Sequence, residues 1–258
     1  MALKMSQPLP SKEFHTIQIM EARHLRLVET PAPQLSAEHQ SAMDHIWENA
    51  VRANPSLFDG PAVVCTALAW EDKGVLCFSW ARTTYRSFAL RRVPGAPAVS
   101  SVFVTVAQPT DDGRLVVGRM SPSTAAPGRW QFPGGNVEPP TAGRTLDENE
   151  LRRQAGKELA EEIGVHVAPE DLTLWTVTRG EHGNIGVHFQ APPLPAEVLR
   201  KQFEALTESE ATNGRTPELE WITAVDRTGV EGLEGPLADY LETLLAQHSP
   251  RTAGRSDE

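Results

Sequence analysis

The sequence predicts an α/β fold in which helices pack outside a mixed β-sheet. Short apolar runs bounded by turn sequences, such as 62–70 and 102–108, indicate strands. Segments with a helical apolar period, such as 37–53, alternate with them. With 258 residues, of which 40% are hydrophobic, the chain is long enough for one large domain or two small ones.

The first 97 residues are predicted to form a smaller α+β arm. Ser36 is placed to cap a helix from about Ala37 to Ala53, whose apolar stripe includes Trp47. Phe58, just before a turn, is expected in the core together with Trp47. Strands are expected at 15–20, 24–29, 62–70, 74–80 and 83–93.

A boundary at 94–101 (PGAPAVSS) separates this arm from a second domain, residues 98–248. In the second domain, His182 and His188 flank an apolar run and are expected to be structural. The polar residues 249–258 are expected to form a disordered tail. Strands are predicted at 102–108, 114–120, 172–180, 183–191 and 219–224, and helices at about 196–206 and 236–247.

Three carboxylates converge in the segment 157–165 (KELAEEIGV). Residues three and four apart are neighbours on a helix, so Glu158 faces both Glu161 and Glu162. Like charges in this arrangement destabilise a helix unless a hard cation such as Mg²⁺ neutralises them. A solvated acidic face is the simpler explanation for this segment taken alone.

The sequence 132–138 (FPGGNVE) precedes this helix, and its two glycines let the backbone approach a ligand closely. Together, FPGGNVE and KELAEEIGV resemble the Nudix hydrolase signature. The resemblance implies a Nudix α/β/α sandwich over about residues 98–248. It also implies Mg²⁺-dependent hydrolysis of a small-molecule nucleoside diphosphate derivative, with Mn²⁺ as an alternative ion.

The chain departs from this signature in two places. Lys157 replaces the Arg of the family and loses its two-pronged pairing with carboxylates. Asn149 stands where the family has Glu, and an insertion, residues 139–150 (PPTAGRTLDENE), lengthens the loop. Asp147, Glu148 and Glu150 are the alternatives for the displaced acid.

The resemblance assigns Glu158, Glu161, Glu162 and the backbone carbonyl of Gly134 as metal ligands. Glu161 or Glu162 is also expected to activate water, and Lys157 is grouped with these catalytic residues as a brace for the loop. A further carboxylate from a downstream loop often completes such sites; the sequence offers Glu208 and Glu210.

Substrate contacts are expected from residues near the Gly-Gly loop in the sequence. Arg119 and Arg129 flank 121–128, and either is suited to grip a phosphate. Tyr85 or Trp130 is suited to stack on a base.

The arm resembles the N-terminal part of UDP-glucose pyrophosphatase-type Nudix proteins, through residues 45–60 (HIWENAVRANPSLFDG) and 84–86 (TYR). This resemblance favours a nucleotide sugar as substrate, with a nucleoside monophosphate and a sugar phosphate as products. ADP-ribose, dinucleotides, isoprenyl diphosphates and coenzyme A derivatives are alternatives within the enzyme class. A degenerate domain that only senses nucleotides is an alternative of another class.

The composition of the chain limits the classes of partner that it is expected to bind. A net charge of −10 without a basic stripe argues against a nucleic acid polymer. No apolar run is long enough for a membrane span, and no signal pattern is present, so a cytoplasmic protein is expected.

Cys65 and Cys77 lie in strand-like runs and are expected to be reduced core residues. An exposed edge of the arm hairpin permits pairing in a homodimer.

Overall fold

The fold is known from a computed structural model, which describes residues 17–72, 74–141, 143–180 and 183–248. The helices in these ranges are α1 (Ala37–Ala53), α2 (Glu148–Ile163), α3 (Ala196–Thr212) and α4 (Leu241–Gln247). The strands are β1 (Gln18–Met20), β2 (His24–Glu29), β3 (Pro61–Asp72), β4 (Val75–Thr84), β5 (Ser100–Pro109), β6 (Leu115–Met120), β7 (Trp130–Gln131), β8 (Gly134–Asn136), β9 (Thr173–Arg179), β10 (Ile185–Gln190) and β11 (Leu219–Val225).

Strand β5 is the centre of one mixed sheet. It pairs in parallel with β10 and antiparallel with β3, β6 and β8. The main order of strands is β1-β9-β10-β5-β3-β4-β2, and β11, β6 and β7 form a branch from β5. Nearly every β5 side chain is buried, as expected for a strand covered on both faces. The mixed α/β architecture predicted from the sequence is therefore confirmed.

The sheet is strongly curled. Strands β1 and β2 lie at opposite ends of the strand order, yet only residues 21–23 connect them. Four peptide steps, from Met20 to His24, span at most about 14 Å. The two edges of the sheet must therefore approach each other, which also brings the arm close to the rest of the fold.

Helix α2 packs on β5 through a stripe of residues at helical spacing. Leu151, Ala155, Leu159 and Ile163 on this stripe are fully buried. Asp147 begins the helix by accepting a hydrogen bond from the Glu150 backbone N–H at 2.8 Å. Gly164 ends the helix because its backbone is in the left-handed conformation, with φ at 74°.

Most predicted elements agree with the structure, including the Ser36 cap, which accepts from the His39 N–H at 3.1 Å. Cys65 and Cys77 are buried free thiols, as expected. Strand β3 pairs with β5 across the predicted boundary at 94–101, so the arm hairpin continues the sheet. The domain division remains a prediction, and His182 and the predicted tail at 249–258 lie outside the described residues.

The predicted strand at 83–93 is wrong. Strand β4 ends at Thr84, and Tyr85–Arg92 forms a 3₁₀ helix. This tight helix places residues three apart above one another, so Tyr85 and Phe88 meet edge to face with ring centroids 5.3 Å apart. Trp47 of α1 contacts Tyr85 in the same way at 6.0 Å. Packing between aromatic rings outweighs the strand pattern.

Three further predictions need correction. Phe58 is 77% exposed rather than in the core. Helix α3 runs six residues beyond the predicted end at 206, to Thr212, where the Asn213 side chain caps it by donating to the Ser209 carbonyl at 2.8 Å. Helix α4 begins at Leu241 instead of 236, because residues 236–238 pair with Trp130 through backbone hydrogen bonds of 2.8 and 2.9 Å.

His188 of β10 is completely buried between two hydroxyl groups. Its Nδ1 lies 2.7 Å from Thr105 Oγ1, and its Nε2 lies 2.8 Å from Thr178 Oγ1. Burial lowers the pKa of His188 to about 3, because the apolar surroundings disfavour the charged imidazolium. The side chain is therefore a neutral structural histidine, as its position on a strand predicted.

This histidine should make the stability of the protein depend on pH. The unfolded chain takes up a proton at this position below about pH 6.5, whereas the folded chain does so only near pH 3. Relative to His188→Gln, the wild-type free energy of unfolding should fall by about 1.4 kcal/mol for each pH unit below about 6.5. Urea unfolding of both proteins over a pH series measures this difference. Parallel pH profiles would show that His188 is charged in the folded state.

Candidate active site

A buried carboxylate joins α2 to the Gly-Gly loop. Glu162 Oε2 accepts a hydrogen bond from the Gly134 backbone N–H at 2.6 Å, although Glu162 is only 2% exposed. Its other oxygen, Oε1, is buried and has no hydrogen-bond partner among the described residues. Such an oxygen is costly to bury unless something binds it. Glu162 therefore has one oxygen that positions the loop and one that is free to bind a ligand.

Position 134 has room only for glycine. A Cβ atom there would lie 2.1 Å from the Val104 carbonyl oxygen and 2.7 Å from Thr105 Cα, both in β5. Its φ of 155° also belongs to the range that other residues rarely adopt. At Gly135, a Cβ would lie 2.7 Å from the Glu158 carboxylate. The two glycines thus let the loop lie directly on β5 and against the acidic helix.

The carboxylates of this site repel one another. Burial, followed by the charges of Glu218 and Glu161, raises the pKa of Glu158 to about 7. The pKa of Glu162 is raised well above its usual value, first by burial and then by Glu158. Glu161 differs, because its side chain is 57% exposed and its Oε2 lies 3.5 Å from Lys157 Nζ. The cluster therefore favours positive charge beside it.

Glu218, in the loop before β11, is a site residue that the sequence reading missed. Its own pKa is raised, first by burial and then by the charge of Glu161. Glu208 and Glu210 were the predicted downstream acids, but Glu210 forms an ion pair with Arg215 at 2.6 Å. The charge of Glu218, in contrast, raises the pKa of both Glu158 and Glu162. No local pattern distinguishes Glu218 from the other acids nearby, because Glu218 comes close to α2 only through the position of the start of β11 in the fold.

The donor chemistry of this cluster fits a hard divalent cation. Carboxylate oxygens are the ligands that Mg²⁺ prefers, and Glu162 Oε1 is buried without a partner. As the side chains stand, no three His, Cys, Asp or Glu residues within the described ranges are close enough together to hold an ion. Glu161, turned towards Lys157, would have to rotate to join Glu158 and Glu162.

The three alternatives for the displaced acid have other partners. Asp147 caps α2, as described above, and Glu150 pairs with Arg153. Glu148 pairs with Arg152 and accepts a hydrogen bond at 2.8 Å from the Leu25 backbone N–H of β2. Glu148 therefore ties the arm to the first turn of the acidic helix.

The insertion is held by Gln154 of α2. Its Oε1 accepts from the Glu138 N–H and its Nε2 donates to the Glu138 carbonyl, both at 2.9 Å. Lys157 was expected to brace this loop, but its resolved ion pair is with Glu161.

The predicted substrate residues fall into two groups. Arg119 is already paired with Glu220, and Trp130 is buried with its Nε1 donating to the Glu234 carbonyl at 3.1 Å. Trp130 is therefore not available to stack on a base. Arg129 and Tyr85, in contrast, lie near each other.

Burial raises the pKa of the Tyr85 hydroxyl, and the positive charges of Arg91 and Arg129 oppose this shift. Arg129 donates through Nη2 to Gln131 Oε1 at 2.8 Å, while its Nε is buried with no partner in the described part of the chain. The arm thus brings an aromatic ring within electrostatic range of an arginine that the other part of the chain supplies.

Comparison with known proteins identifies the family. Residues 97–235, more than half of the chain, match the NUDIX domain family. The chain therefore belongs to the Nudix family and is a Nudix diphosphate hydrolase. Enzymes of this family hydrolyse the pyrophosphate bond of nucleoside diphosphate derivatives, which are small molecules, and generally use divalent cations such as Mg²⁺.

Two solved structures are similar to part of the chain. A MutT protein from Methanosarcina mazei Go1 has 19% identity and a TM-score of 0.41, over 58% of this chain and 92% of that one. A MutT/nudix family protein from Enterococcus faecalis has 14% identity and a TM-score of 0.31, over 55% of this chain and 51% of that one. A search of curated proteins found no match. Within the described ranges, no helix is both long and apolar enough to cross a membrane.

Gly134→Ala should disrupt the site. The added Cβ collides with the β5 backbone, so the free energy of unfolding should fall by about 3 kcal/mol or more. Gly95→Ala is the matched control: its φ is 73°, but a Cβ there meets nothing within 4 Å, so the cost should be about 1 kcal/mol. Denaturant unfolding measures both, and equal costs would contradict the close approach at Gly134.

Proposed function

We propose that this chain is a Mg²⁺-dependent hydrolase of nucleoside diphosphate sugars that releases a nucleoside monophosphate and a sugar phosphate. The observation that carries the catalytic part is Glu162, which holds the Gly-Gly loop with one oxygen and leaves the other buried and unpaired. An unpaired carboxylate oxygen beside a second, half-buried carboxylate, Glu158, favours a cation as the missing partner.

The residues have distinct roles in this proposal. Glu158, Glu161, Glu162 and the Gly134 carbonyl would hold Mg²⁺ or Mn²⁺, with Glu218 adding negative charge beside them. A cation held there would neutralise charge on the phosphate oxygens and would acidify water. Glu161 or Glu162 accepts the proton of the attacking water. Lys157 keeps a positive charge beside Glu161.

The arm supports a nucleotide as one half of the substrate. Asn54, at the end of α1, donates to the carbonyls of Ser123 and Thr124 at 3.4 Å, so the arm reaches the loop before Arg129. Tyr85 beside Arg129 combines a flat ring with a positive charge, which suits a base and a phosphate. This part of the arm contains the residues that resemble UDP-glucose pyrophosphatase-type proteins, which favours a sugar as the other half.

Glu162→Gln should lower turnover by about a hundredfold or more, because it removes a charge from the proposed metal site. The amide oxygen can still accept from Gly134, and one repulsive charge beside Glu158 disappears, so stability should be unchanged or higher. Glu161→Gln should likewise lower turnover by about a hundredfold. Steady-state kinetics and thermal unfolding measure these effects. Glu204→Gln, in an exposed ion pair on α3, serves as the control. Near wild-type rates in both site variants would refute the proposed metal site.

The wild-type protein should hydrolyse nucleotide sugars only when a divalent cation is present. Phosphate release, coupled through alkaline phosphatase, can be compared for nucleotide sugars, ADP-ribose, dinucleotides and isoprenyl diphosphates. Mg²⁺ and Mn²⁺ should support turnover, and a chelator should abolish it. Faster turnover of another group in this panel would replace the nucleotide sugar as substrate.

A further inference from the structure

A cavity of about 230 Å³ opens beside Glu158. Gln154, Lys157 and Glu158 line it on the side of α2, because residues three and four apart share one face of a helix. The opposite wall comes from Glu138 and from five residues of the insertion: Pro139, Pro140, Thr141, Arg144 and Glu150. The insertion that departs from the family signature therefore forms part of a cavity next to a proposed metal ligand.

Hydrogen bonds and packing hold this wall in place. Gln154 bonds both the N–H and the carbonyl of Glu138, as described above. Arg82 of β4 donates through Nη1 to the Pro140 carbonyl at 2.8 Å. Leu146 is only 2% exposed and anchors the far end of the insertion in the core. The cavity is thus preformed, and the arm supplies one of its supports.

Arg144 is the unusual residue of this cavity. It lines the cavity, is exposed, and its guanidinium group makes no hydrogen bond or ion pair with any residue that the structure describes. A guanidinium group carries five N–H donors in a fixed plane, which suits hydrogen bonds to oxygen atoms of a ligand. By comparison, Arg152 and Arg153, at the start of α2, are both paired with glutamates.

The lining selects a class of ligand. Carboxylates of Glu138 and Glu150 accept hydrogen bonds, whereas Arg144 and Lys157 donate them. A hydroxyl group both donates and accepts, so a group with several hydroxyls suits this mixture, whereas a hydrocarbon chain would offer the Arg144 guanidinium no hydrogen-bond acceptor. The volume is below the range of about 300–1,000 Å³ typical for a whole drug-sized ligand, so it suits one part of a substrate.

We propose that this cavity is the subsite for the sugar on the far side of the diphosphate, and that Arg144 determines specificity there by donating hydrogen bonds to sugar hydroxyls. This inference rests on the proposed hydrolysis of nucleotide sugars. It assigns the insertion a role in choosing the leaving group, apart from the carboxylates that hold the cation.

Arg144→Ala tests this assignment, with the nucleotide sugar that the wild-type protein hydrolyses fastest. KM should rise about tenfold or more, as expected for lost hydrogen bonds from a charged group, with kcat within about twofold. The two products, used as inhibitors, locate the effect. The inhibition constant of the sugar phosphate should rise about as much as KM, and that of the nucleoside monophosphate should stay unchanged. Arg200→Ala, in an exposed ion pair on α3, should leave KM and both inhibition constants unchanged.

The outcomes separate the two proposals. An unchanged KM, or a rise confined to the inhibition constant of the nucleoside monophosphate, would overturn the sugar subsite while leaving the hydrolase intact. A wild-type protein that hydrolyses no nucleotide sugar would overturn the proposed substrate and the subsite with it. An equal rise in both inhibition constants would place Arg144 on the phosphates and would also overturn the subsite.

Discussion

The hydrogen bond between the Gly134 N–H and the Glu162 carboxylate is the interaction on which the site depends. It joins the Gly-Gly loop to α2 inside the core, where water cannot replace either partner. It forms only because position 134 lacks a Cβ, which lets β8 lie on β5. The hydrophobic stripe of α2 then holds the helix in the register that presents Glu158, Glu161 and Glu162 together.

The grouping of carboxylates at this site lowers the stability of the fold. Burial and mutual repulsion raise the pKa of Glu158, Glu162 and Glu218 together, which means that each is held where its charged form is disfavoured. A helix selected for stability alone would place lysines or arginines among them. Nudix hydrolases generally use divalent cations, and a divalent cation bound by these carboxylates would offset their mutual repulsion.

The arm and the rest of the chain form one continuous structure. Strand β3 extends the sheet from β5, Glu148 of α2 binds the edge of β2, and Arg82 of β4 supports the insertion. Asn54 connects α1 to the loop before Arg129. The arm therefore contacts the surroundings of the candidate site on two sides, which brings residues far apart in the sequence to the same region of the fold.

Local patterns by themselves determined the elements and the acidic helix. Alternation identified most strands, the Ser36 cap and the apolar stripe identified α1, and the spacing of Glu158, Glu161 and Glu162 depends only on the geometry of one helix. The same local rules failed at Tyr85–Arg92, where contacts with α1 chose a 3₁₀ helix. Glu218, the neighbours Tyr85 and Arg129, and the cavity around Arg144 were decided by the tertiary structure. Each depends on contacts between segments that are far apart in the sequence and come together only in the curled sheet. Local sequence patterns carry no information about such contacts.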